Sequence, residues 1–345
     1  MDSKSGGSRL RIAQVNDIAA VAGTLAREMN RLGEDAVVLE PRRVGTRLKY
    51  PWKAAALPVR VAAILGTGIS LRRGNFDVVH VHFARLGMLG PMSGRPYTLH
   101  VHGTDIRGVR PGSAWGREVA PFLRRARLVY YATPDLREWV EPFRPDAIFL
   151  PNPIETDLFS PLEPAPADDR ARRDLLVGVR LSAVKGLATI LDVIGRVVAA
   201  RPGTTITIVG QGGGVAQAMA LAGPDAILAR RVARADLPDL IRGHRLALGQ
   251  FLVGTFGNYE LEAEACGVPV VMGFDRWAAY DSRPPIVAAA TGEEAAARIC
   301  DLLDDADTLA RLAALGPSWV VANHAAGMIA ARVLGDYRRT GQDSR

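Results

Sequence analysis

Two cations, Arg180 and Lys185, lie five residues apart in the segment VGVRLSAVKG, residues 177–186. Lys185 is one of only four lysines, and nearly all other cations of the chain are arginines. An ammonium beside a planar guanidinium suits a diphosphate, because the guanidinium binds two oxygens at once and the ammonium acts as a point charge. Two solvated cations near a helix start are the alternative, although the helix dipole disfavours positive charge there. The spacing therefore favours a diphosphate-binding loop and leaves that alternative open.

The residues around this segment indicate a strand followed by a helix. An apolar run ends at Val177, and apolar residues recur at helical spacing from Leu187 to Val198. In α/β proteins, ligands bind at the loops that follow the carboxyl ends of parallel strands. We therefore expect Arg180 and Lys185 to lie where such a fold places its ligand.

Short apolar runs alternate with helical patterns through both halves of the chain. The runs lack the alternation of half-exposed strands, which indicates parallel sheets covered by helices on both faces. A proline-rich segment at 161–169 is typical of a linker. We expect an α/β protein with two Rossmann-like domains facing a cleft, residues 1–160 and 161–322. A C-terminal helix at 323–340 is expected to pack back on the first domain.

Composition narrows the partners and the compartment. The net charge of +7 favours an acidic partner, such as a phosphorylated small molecule, an anionic membrane or a nucleic acid. Cys266 and Cys300 give neither a disulfide framework nor metal-ligand spacing, which favours a reducing compartment. The first nine residues are polar, so no signal peptide is expected, and no apolar stretch is long enough to span a bilayer. We expect a cytoplasmic protein.

Four segments resemble, in order, the motifs of one enzyme family: the GT-B glycosyltransferases of the family 4, or group 1, type. They are FLPNPIETDLFSP at 149–161, VGVRLSAVKG at 177–186, TITIVGQGG at 205–213 and ELEAEACGVPVV at 260–271. In the first half, FDVVHVH and TLHVHGTD resemble the strands that precede the family's cleft. The resemblance covers most of the chain from about residue 76 onward.

The resemblance implies an enzyme that moves a sugar from a nucleotide-diphosphate sugar to a glycan or lipid-linked acceptor. In the family the first domain holds the acceptor and the second holds the donor. The resemblance further implies a retaining, metal-independent reaction without a cofactor, in the synthesis of a cell-envelope or surface polysaccharide. Two alternatives stay open: a non-catalytic nucleotide-sugar binding protein, and a sugar-nucleotide epimerase of the same fold.

The same resemblance assigns roles to individual residues. Arg180 and Lys185 would bind the donor diphosphate and stabilise the leaving group, and His102 would line the cleft, making these three the expected catalytic residues. Glu262 would accept hydrogen bonds from the ribose hydroxyls. The expected donor-binding residues also include Gly212, Gly257 and Asn258.

One position departs from the family pattern. The family usually has a glutamate eight positions before the ribose-binding glutamate, and this chain has Gly254 there. In the family that glutamate binds the donor sugar, so its loss affects sugar recognition and motivates the binding-protein alternative. Gly254 itself and Asp105, in the motif HGTD, are candidate contacts of the sugar or the acceptor.

Four histidines could form a different site. His80 and His82 stand two residues apart, as do His100 and His102, so each pair shares one face of a predicted strand. If these strands are neighbours, a zinc site is conceivable. Because no acidic or cysteine ligand stands at metal spacing, we expect no metal.

Two further patterns fit other functions poorly. GQGGG at 210–214 follows a predicted strand, as in dinucleotide-binding folds, but Val215 occupies the place of the third glycine and no acidic residue ends the next strand. Asp305 and Asp307 form a DxD pattern, yet they lie between two helical segments rather than after a strand. The glycine pattern therefore does not favour a nicotinamide dinucleotide, and we interpret the DxD pattern as accidental.

The most basic part of the first half is the segment 42–73. Its cations accompany an apolar helical pattern at Leu57, Val61, Ile64 and Leu65, which favours peripheral contact with an anionic membrane at its inner face. An ordinary helix with a solvated basic face explains the pattern equally well. The basic residues are dispersed and no nucleic-acid-binding motif is present, so we expect no nucleic acid partner.

Overall fold

The structure is a computed structural model, and it describes residues 9–41, 56–162, 172–230 and 232–342. The chain divides into two compact units. The first comprises residues 1–153 and 326–345, and the second comprises residues 154–325.

The first unit is built on a parallel sheet. Its six described strands are arranged in the order β2-β1-β3-β4-β5-β6. The strands are β1 (Arg11–Val15), β2 (Asp35–Leu39), β3 (Val78–His82), β4 (Tyr97–Val101), β5 (Leu128–Tyr131) and β6 (Ile148–Phe149). The helices between them are α1 (Val21–Arg31), α2 (Leu57–Arg73), α3 (Leu89–Ser93), α4 (Ala114–Arg125) and α5 (Arg137–Val140).

The second unit repeats this plan. Its described strands are also all parallel and follow the order β12-β11-β10-β7-β8-β9. They are β7 (Arg173–Val177), β8 (Ile206–Val209), β9 (Ile227–Ala229), β10 (His244–Leu248), β11 (Val270–Met272) and β12 (Val287–Ala288). The helices are α6 (Leu187–Ala200), α7 (Val215–Ala222), α8 (Leu237–Arg242), α9 (Asn258–Ala265), α10 (Gly292–Asp304) and α11 (Ala306–His324). The expected α/β class with two Rossmann-like domains is confirmed.

The last helix, α12 (Ala326–Gln342), belongs to the first unit and packs against α1. Its buried side chains, such as Ile329 and Val333, share a core with Leu25 and Tyr130 on one face of the first sheet. The sequence placed the start of this helix at residue 323. The structure places it at 326, because α11 continues to His324 and the chain turns at Ala325.

The boundary near residue 160 also differs from the structural division after Pro153. Ile154 and Phe159 are fully buried in the core of the second unit, beside Phe256 and Trp319. The amide of Ile154 donates to the carbonyl of His324 at 2.8 Å, so the chain enters and leaves this unit at adjacent points. Two buried apolar side chains thus assign residues 154–160 to the second unit. Most of the proline-rich linker lies outside the described residues.

Candidate functional site

The loop after β7 carries Arg180 and Lys185, the two cations predicted to bind a diphosphate. We call this pair the clamp and the loop that carries it the clamp loop. Arg180 is exposed, and Lys185 is half-buried at the end of a single 3₁₀ turn, Ala183–Lys185. Gly186 follows with φ of +82°, a left-handed conformation that glycine adopts without strain, and α6 begins at the next residue. The structure therefore places both cations on one strand-to-helix loop at the carboxyl end of the sheet, as predicted.

The glycine-rich loop after β8 lies directly against this clamp loop. The amide of Leu181 donates to the carbonyl of Gln211 at 2.8 Å, and the amide of Gly214 donates to the carbonyl of Leu181 at 3.2 Å. Gly212 has φ of +105°, and a Cβ there would overlap the carbonyl oxygen of Leu181. Gly212 is thus required for the two loops to approach each other. A direct role in donor binding stays a prediction.

A third loop, between β10 and α9, meets Lys185 from the other side. The ammonium of Lys185 donates to Gln250 Oε1 at 2.9 Å, and the side-chain amide of Gln250 donates to the carbonyl of Thr255 at 2.5 Å. An ideal Cβ on Gly257 would lie only 3.5 Å from Lys185 Nζ. Lys185 therefore lies beside the start of α9, where Asn258 is the first helical residue.

Glu260 already occupies part of this helix start. Its carboxylate accepts from the amide of Gly257 at 2.8 Å and from the amide of Gln250 at 3.0 Å. This is the arrangement of a capping box, in which the third helical residue bonds back to the residue before the helix. Gly257 is one of the predicted donor-binding residues, and in this structure its amide has a carboxylate partner. The nearby positive charge comes from Lys185.

Glu262, the predicted ribose ligand, is buried and paired. Its Oε1 accepts from Arg234 Nη1 at 2.9 Å, and Arg234 Nη2 lies 2.7 Å from Glu155 Oε2. The Arg234 guanidinium also lies over the ring of Phe159. Burial raises the pKa of Glu262 to about 7, and Arg234 opposes that rise. Arg234 thus forms ion pairs with two carboxylates, Glu155 and Glu262. With a pKa of about 7, Glu262 changes its protonation state near neutral pH.

Gly254 adopts a left-handed conformation with φ of +67°. The carboxylate of Asp275 occupies the place of its missing side chain, with Cγ 2.7 Å from an ideal Cβ. A side chain at 254 would therefore require the exposed Asp275 side chain to turn away, and it would be strained at this positive φ. Where the family has a glutamate side chain, this chain therefore has the carboxylate of Asp275 beside Gly254.

Asp105 has a structural environment. It is fully buried, and its carboxylate accepts from the amides of Ala84, His102 and Gly103 at 2.7, 3.1 and 2.8 Å. Burial raises its pKa, while these three hydrogen bonds oppose the rise. The side chain holds the loop that carries His102 and faces the protein interior, which differs from the predicted sugar or acceptor contact.

The four histidines form one layer on a face of the first sheet. Neighbouring rings have centroids 4.2 to 5.5 Å apart. His82 Nε2 lies 2.7 Å from Gln14 Oε1, which only accepts, so the proton of His82 is on Nε2. His82 Nδ1 then accepts from His102 Nε2 at 3.0 Å, and the lone pair of His102 is on Nδ1. His102 alone of the four is partly exposed.

Three of these rings, those of His80, His82 and His100, lie close enough to suggest a metal site, since one nitrogen from each falls within 4.8 Å of the others. Their orientation argues against it. The His80 and His82 rings stack with an angle of 11°, so their lone pairs lie in nearly parallel planes 4.3 Å apart at the ring centroids, which does not suit two ligands of one ion. Both nitrogens of His82 also have protein partners. The layer is better described as packed neutral imidazoles.

We expect this layer to make the first unit sensitive to acid. Burial lowers the pKa of His80 and His102 to about 3, and that of His82 and His100 also lies well below 6.5. The unfolded chain binds these protons below pH 6.5 and the folded chain does not. Stability is therefore full above pH 6.5 and is lost as the pH falls, by about 1.4 kcal/mol per pH unit for each histidine.

Urea denaturation at pH 7.5, 6.0 and 5.0 measures how the free energy of unfolding depends on pH. Hydrogen exchange of the β3 and β4 amides at the same pH values localises the effect to the first unit. The matched variant is His100→Leu, because neither ring nitrogen of His100 has a hydrogen-bond partner among the described residues. The variant removes one titrating group without leaving a partner unsatisfied, so its stability should depend less steeply on pH. An unchanged slope would contradict the prediction.

The DxD pattern at Asp305 and Asp307 has a local structural explanation. Asp305 caps α11, with its carboxylate accepting from the amide of Thr308 at 3.0 Å, so the DxD pattern is a helix cap. Among the described residues no helix is both long and apolar enough to cross a membrane.

Sequence reasoning gave no role to three residues of the second unit that lie at the site: Arg234, Gln250 and Asp275. Gln250 carried a signal, because it is a polar, fully buried residue directly after an apolar strand. Arg234 and Asp275 carried none, since each meets its partner through a contact between segments distant in sequence.

Two family models match the chain. The model described as Glycosyltransferase Family 4 matches residues 18–158, and that described as Glycosyl transferases group 1 matches residues 172–305. Together they cover most of the chain. No curated protein matches it in sequence.

Solved structures share the fold at low sequence identity. Sucrose-phosphate synthase from Thermosynechococcus elongatus is 16% identical with a TM-score of 0.74, over 97% of this chain and 100% of that one. Anabaena HepE in complex with UDP and glucose is 14% identical with a TM-score of 0.71, over 96% and 100%. AviGT4, a glycosyltransferase involved in avilamycin A biosynthesis, is 18% identical with a TM-score of 0.59, over 96% and 97%. From the two family matches and this shared fold, the chain is a GT-B glycosyltransferase of the family 4, or group 1, type.

Proposed function

We propose that this glycosyltransferase moves a sugar from a nucleotide-diphosphate sugar to a glycan or lipid-linked acceptor. The observation that carries the proposal is the meeting of three loops around Lys185. The clamp loop, the glycine loop at Gly212 and the loop before α9 are joined by hydrogen bonds at the carboxyl edge of one sheet. A single half-buried ammonium with an exposed guanidinium on the same loop suits the diphosphate of such a donor.

These residues suggest how the leaving group departs. Arg180 and Lys185 would stabilise the negative charge that develops on the diphosphate, a role that a metal ion serves in other transferases. Glu262 would hold the ribose. His102 Nδ1, with its lone pair, could accept a hydrogen bond from a hydroxyl of the transferred sugar or the acceptor. We propose a metal-independent reaction without a cofactor that retains the anomeric configuration.

Uridine diphosphate is the first donor nucleotide to test, because HepE forms a complex with UDP and glucose. We further propose an acceptor of the cell envelope or surface polysaccharide, reached by peripheral contact with the inner face of the membrane. Helix α2 supports this contact: its side chains Leu57, Val61, Leu65 and Ile69 are each about half exposed. Arg60, Arg72 and Arg73 lie on the same helix. The remaining basic residues of 42–73 lie outside the described residues.

Turnover tests the proposal. The protein is mixed with UDP-, GDP- and ADP-sugars, and release of nucleoside diphosphate is followed with glycan acceptors and with polyprenyl-linked acceptors in vesicles with or without anionic lipid. We expect release to require both one donor and an acceptor. Faster turnover on anionic vesicles would support the membrane contact, and equal turnover on neutral vesicles would contradict it.

The two alternatives give different results in the same experiment. Donor binding without turnover on any acceptor would favour a nucleotide-sugar binding protein. Isotope exchange at C2 of the sugar with donor alone would favour an epimerase. Either result would overturn the proposed transfer reaction.

A further inference from the structure

A cavity of about 370 Å³ opens beside the clamp in the second unit. Residues at the carboxyl ends of three neighbouring strands line it: Phe251, Leu252 and Gly254 after β10, 273–275 after β11, and 288–290 at the end of β12 and just beyond it. The carboxyl ends of parallel strands are where folds of this class bind ligands. Pockets for small ligands start at roughly 300 Å³, so this cavity has room for one sugar ring.

The cavity wall is bonded to the clamp loop. The amide of Phe251 donates to the carbonyl of Lys185 at 3.1 Å, and an ideal Cβ on Gly186 would lie 3.1 Å from the amide nitrogen of Leu252. In a nucleotide sugar the sugar is attached to the distal phosphate. A sugar attached to a diphosphate at Lys185 would therefore lie near this cavity, because Phe251 of its lining is bonded to the backbone of Lys185.

Asp275 supplies a carboxylate in this cavity. Its side chain is 68% exposed, and its amide donates to the carbonyl of Gly254 at 3.2 Å, which fixes the two loops together. Its Oδ2 lies 3.0 Å from an ideal Cβ on Gly254, so it fills the place where a side chain at 254 would begin. Glu294, the other carboxylate of the lining, already accepts from the amide of Ala290 and from Arg298.

We propose that Asp275 binds the donor sugar by accepting hydrogen bonds from its ring hydroxyls in this cavity. The inference rests on the proposed function. Gly254 contributes by having no side chain, which leaves the space to Asp275. Arg276 forms an ion pair with this carboxylate, with its Nε 3.1 Å from Asp275 Oδ1.

Calorimetry with and without the sugar tests the proposal. The probes are UDP, GDP and ADP and their glucose-, galactose- and N-acetylglucosamine-bearing forms, measured on wild type, Asp275→Asn and Asp275→Glu. A hydrogen bond to a charged group contributes enough that Asp275→Asn should weaken nucleotide-sugar binding by roughly 10- to 150-fold. Binding of the nucleoside diphosphate alone should not change. Asp301→Asn, an exposed carboxylate on α10, is the matched control and should behave as wild type.

Donors with deoxy-sugars test which hydroxyl of the sugar Asp275 binds. A donor that lacks the contacted hydroxyl should bind wild type as weakly as the complete donor binds Asp275→Asn, and the variant should show no further loss. Equal loss of nucleotide and nucleotide-sugar binding, or no loss of either, would overturn the role of Asp275 while leaving the clamp intact. Wild type that binds neither class of probe would overturn the proposed function itself.

Discussion

The double variant Arg180→Ala, Lys185→Ala should lose nucleotide-sugar binding and sugar transfer while its fold stays intact. Arg180 is exposed and lies in a loop, so its truncation removes no buried contact. Lys185 is half-buried, and its ammonium donates to Gln250 Oε1, while the side-chain amide of Gln250 keeps its bond to the carbonyl of Thr255 when Lys185 is truncated. Lys185→Ala removes the donor to Gln250 Oε1 but keeps the bond of the Gln250 side-chain amide, so we expect a local loss of stability and no loss of the fold.

The size of the loss follows from the charges involved. Each hydrogen bond to a charged group contributes about 1.5–3 kcal/mol, which is roughly 10- to 150-fold in affinity. Groups that bind charge developing in the transition state have larger effects, and removing one typically lowers kcat by about 10²–10³-fold. We expect the loss in kcat/KM of each single variant to exceed its loss in donor affinity. The double variant should show no measurable transfer.

Thermal shift and calorimetry with the donor panel measure binding, and nucleoside diphosphate release measures transfer. Lys185→Gln keeps the length of the side chain without its charge and should resemble Lys185→Ala. The matched control is Arg196→Ala on α6, an exposed cation whose only described ion pair is with Asp192 on the same helix. Donor binding that survives the double change would contradict the clamp, and the alternative of two solvated cations would then hold.

The position of the clamp could be predicted from the sequence because the elements that hold it are consecutive in the chain. A buried apolar strand, a short loop and an amphipathic helix follow one another within about twenty-five residues, and each is recognised by its own pattern. The same holds for both parallel sheets, whose strands are continuous apolar runs. The apolar residues Ile154 and Phe159 lie in a stretch of prolines, so their burial in the second unit was not evident.

The other contacts of the site depend on segments that are distant in the sequence. Glu260, which caps α9, is predictable as a capping residue, but the sequence does not show that its carboxylate would also bind the amide of Gln250. Asp275 stands 21 positions after Gly254, and only the pairing of β10 with β11 brings their loops together. The pattern of residue types in the sequence predicts which helices and strands form. It does not predict which loops come into contact once those strands pair.

The pairing of Glu262 with Arg234 leads to the second large effect, a shift of the pH at which donor binding is lost. The pKa of Glu262 is raised to about 7 by burial, so the side chain is ionised above that pH and protonated below it. If ionised Glu262 binds the ribose, donor affinity is high at pH 8 and falls as the pH drops through 7. Below the pKa the fall approaches roughly tenfold per pH unit, because the binding-competent fraction falls by that factor.

Arg234→Gln should move this loss of affinity to higher pH. The guanidinium is the cation next to Glu262, with Nη1 2.9 Å from its Oε1, and it opposes the effect of burial. Without it the pKa of Glu262 rises further, and the carboxyl is protonated at a pH where wild type is ionised. Arg234→Lys keeps a positive charge and should shift the midpoint less. Arg196→Gln, an exposed arginine on α6, should leave the midpoint unchanged.

Glu262→Gln identifies the titrating group. Glutamine has nearly the same shape and does not ionise, so the variant should bind donor more weakly at pH 8 and show no midpoint near 7. The measurement is the dissociation constant of the donor from pH 6 to 9 for wild type and all four variants. The same midpoint in wild type and Arg234→Gln would show that Arg234 does not control the ionisation of Glu262. A midpoint that persists in Glu262→Gln would assign the titration to another group and remove the argument for Glu262 as the ribose ligand. A midpoint that moves up in Arg234→Gln and disappears in Glu262→Gln would establish that the buried pair sets the pH range in which this enzyme holds its donor.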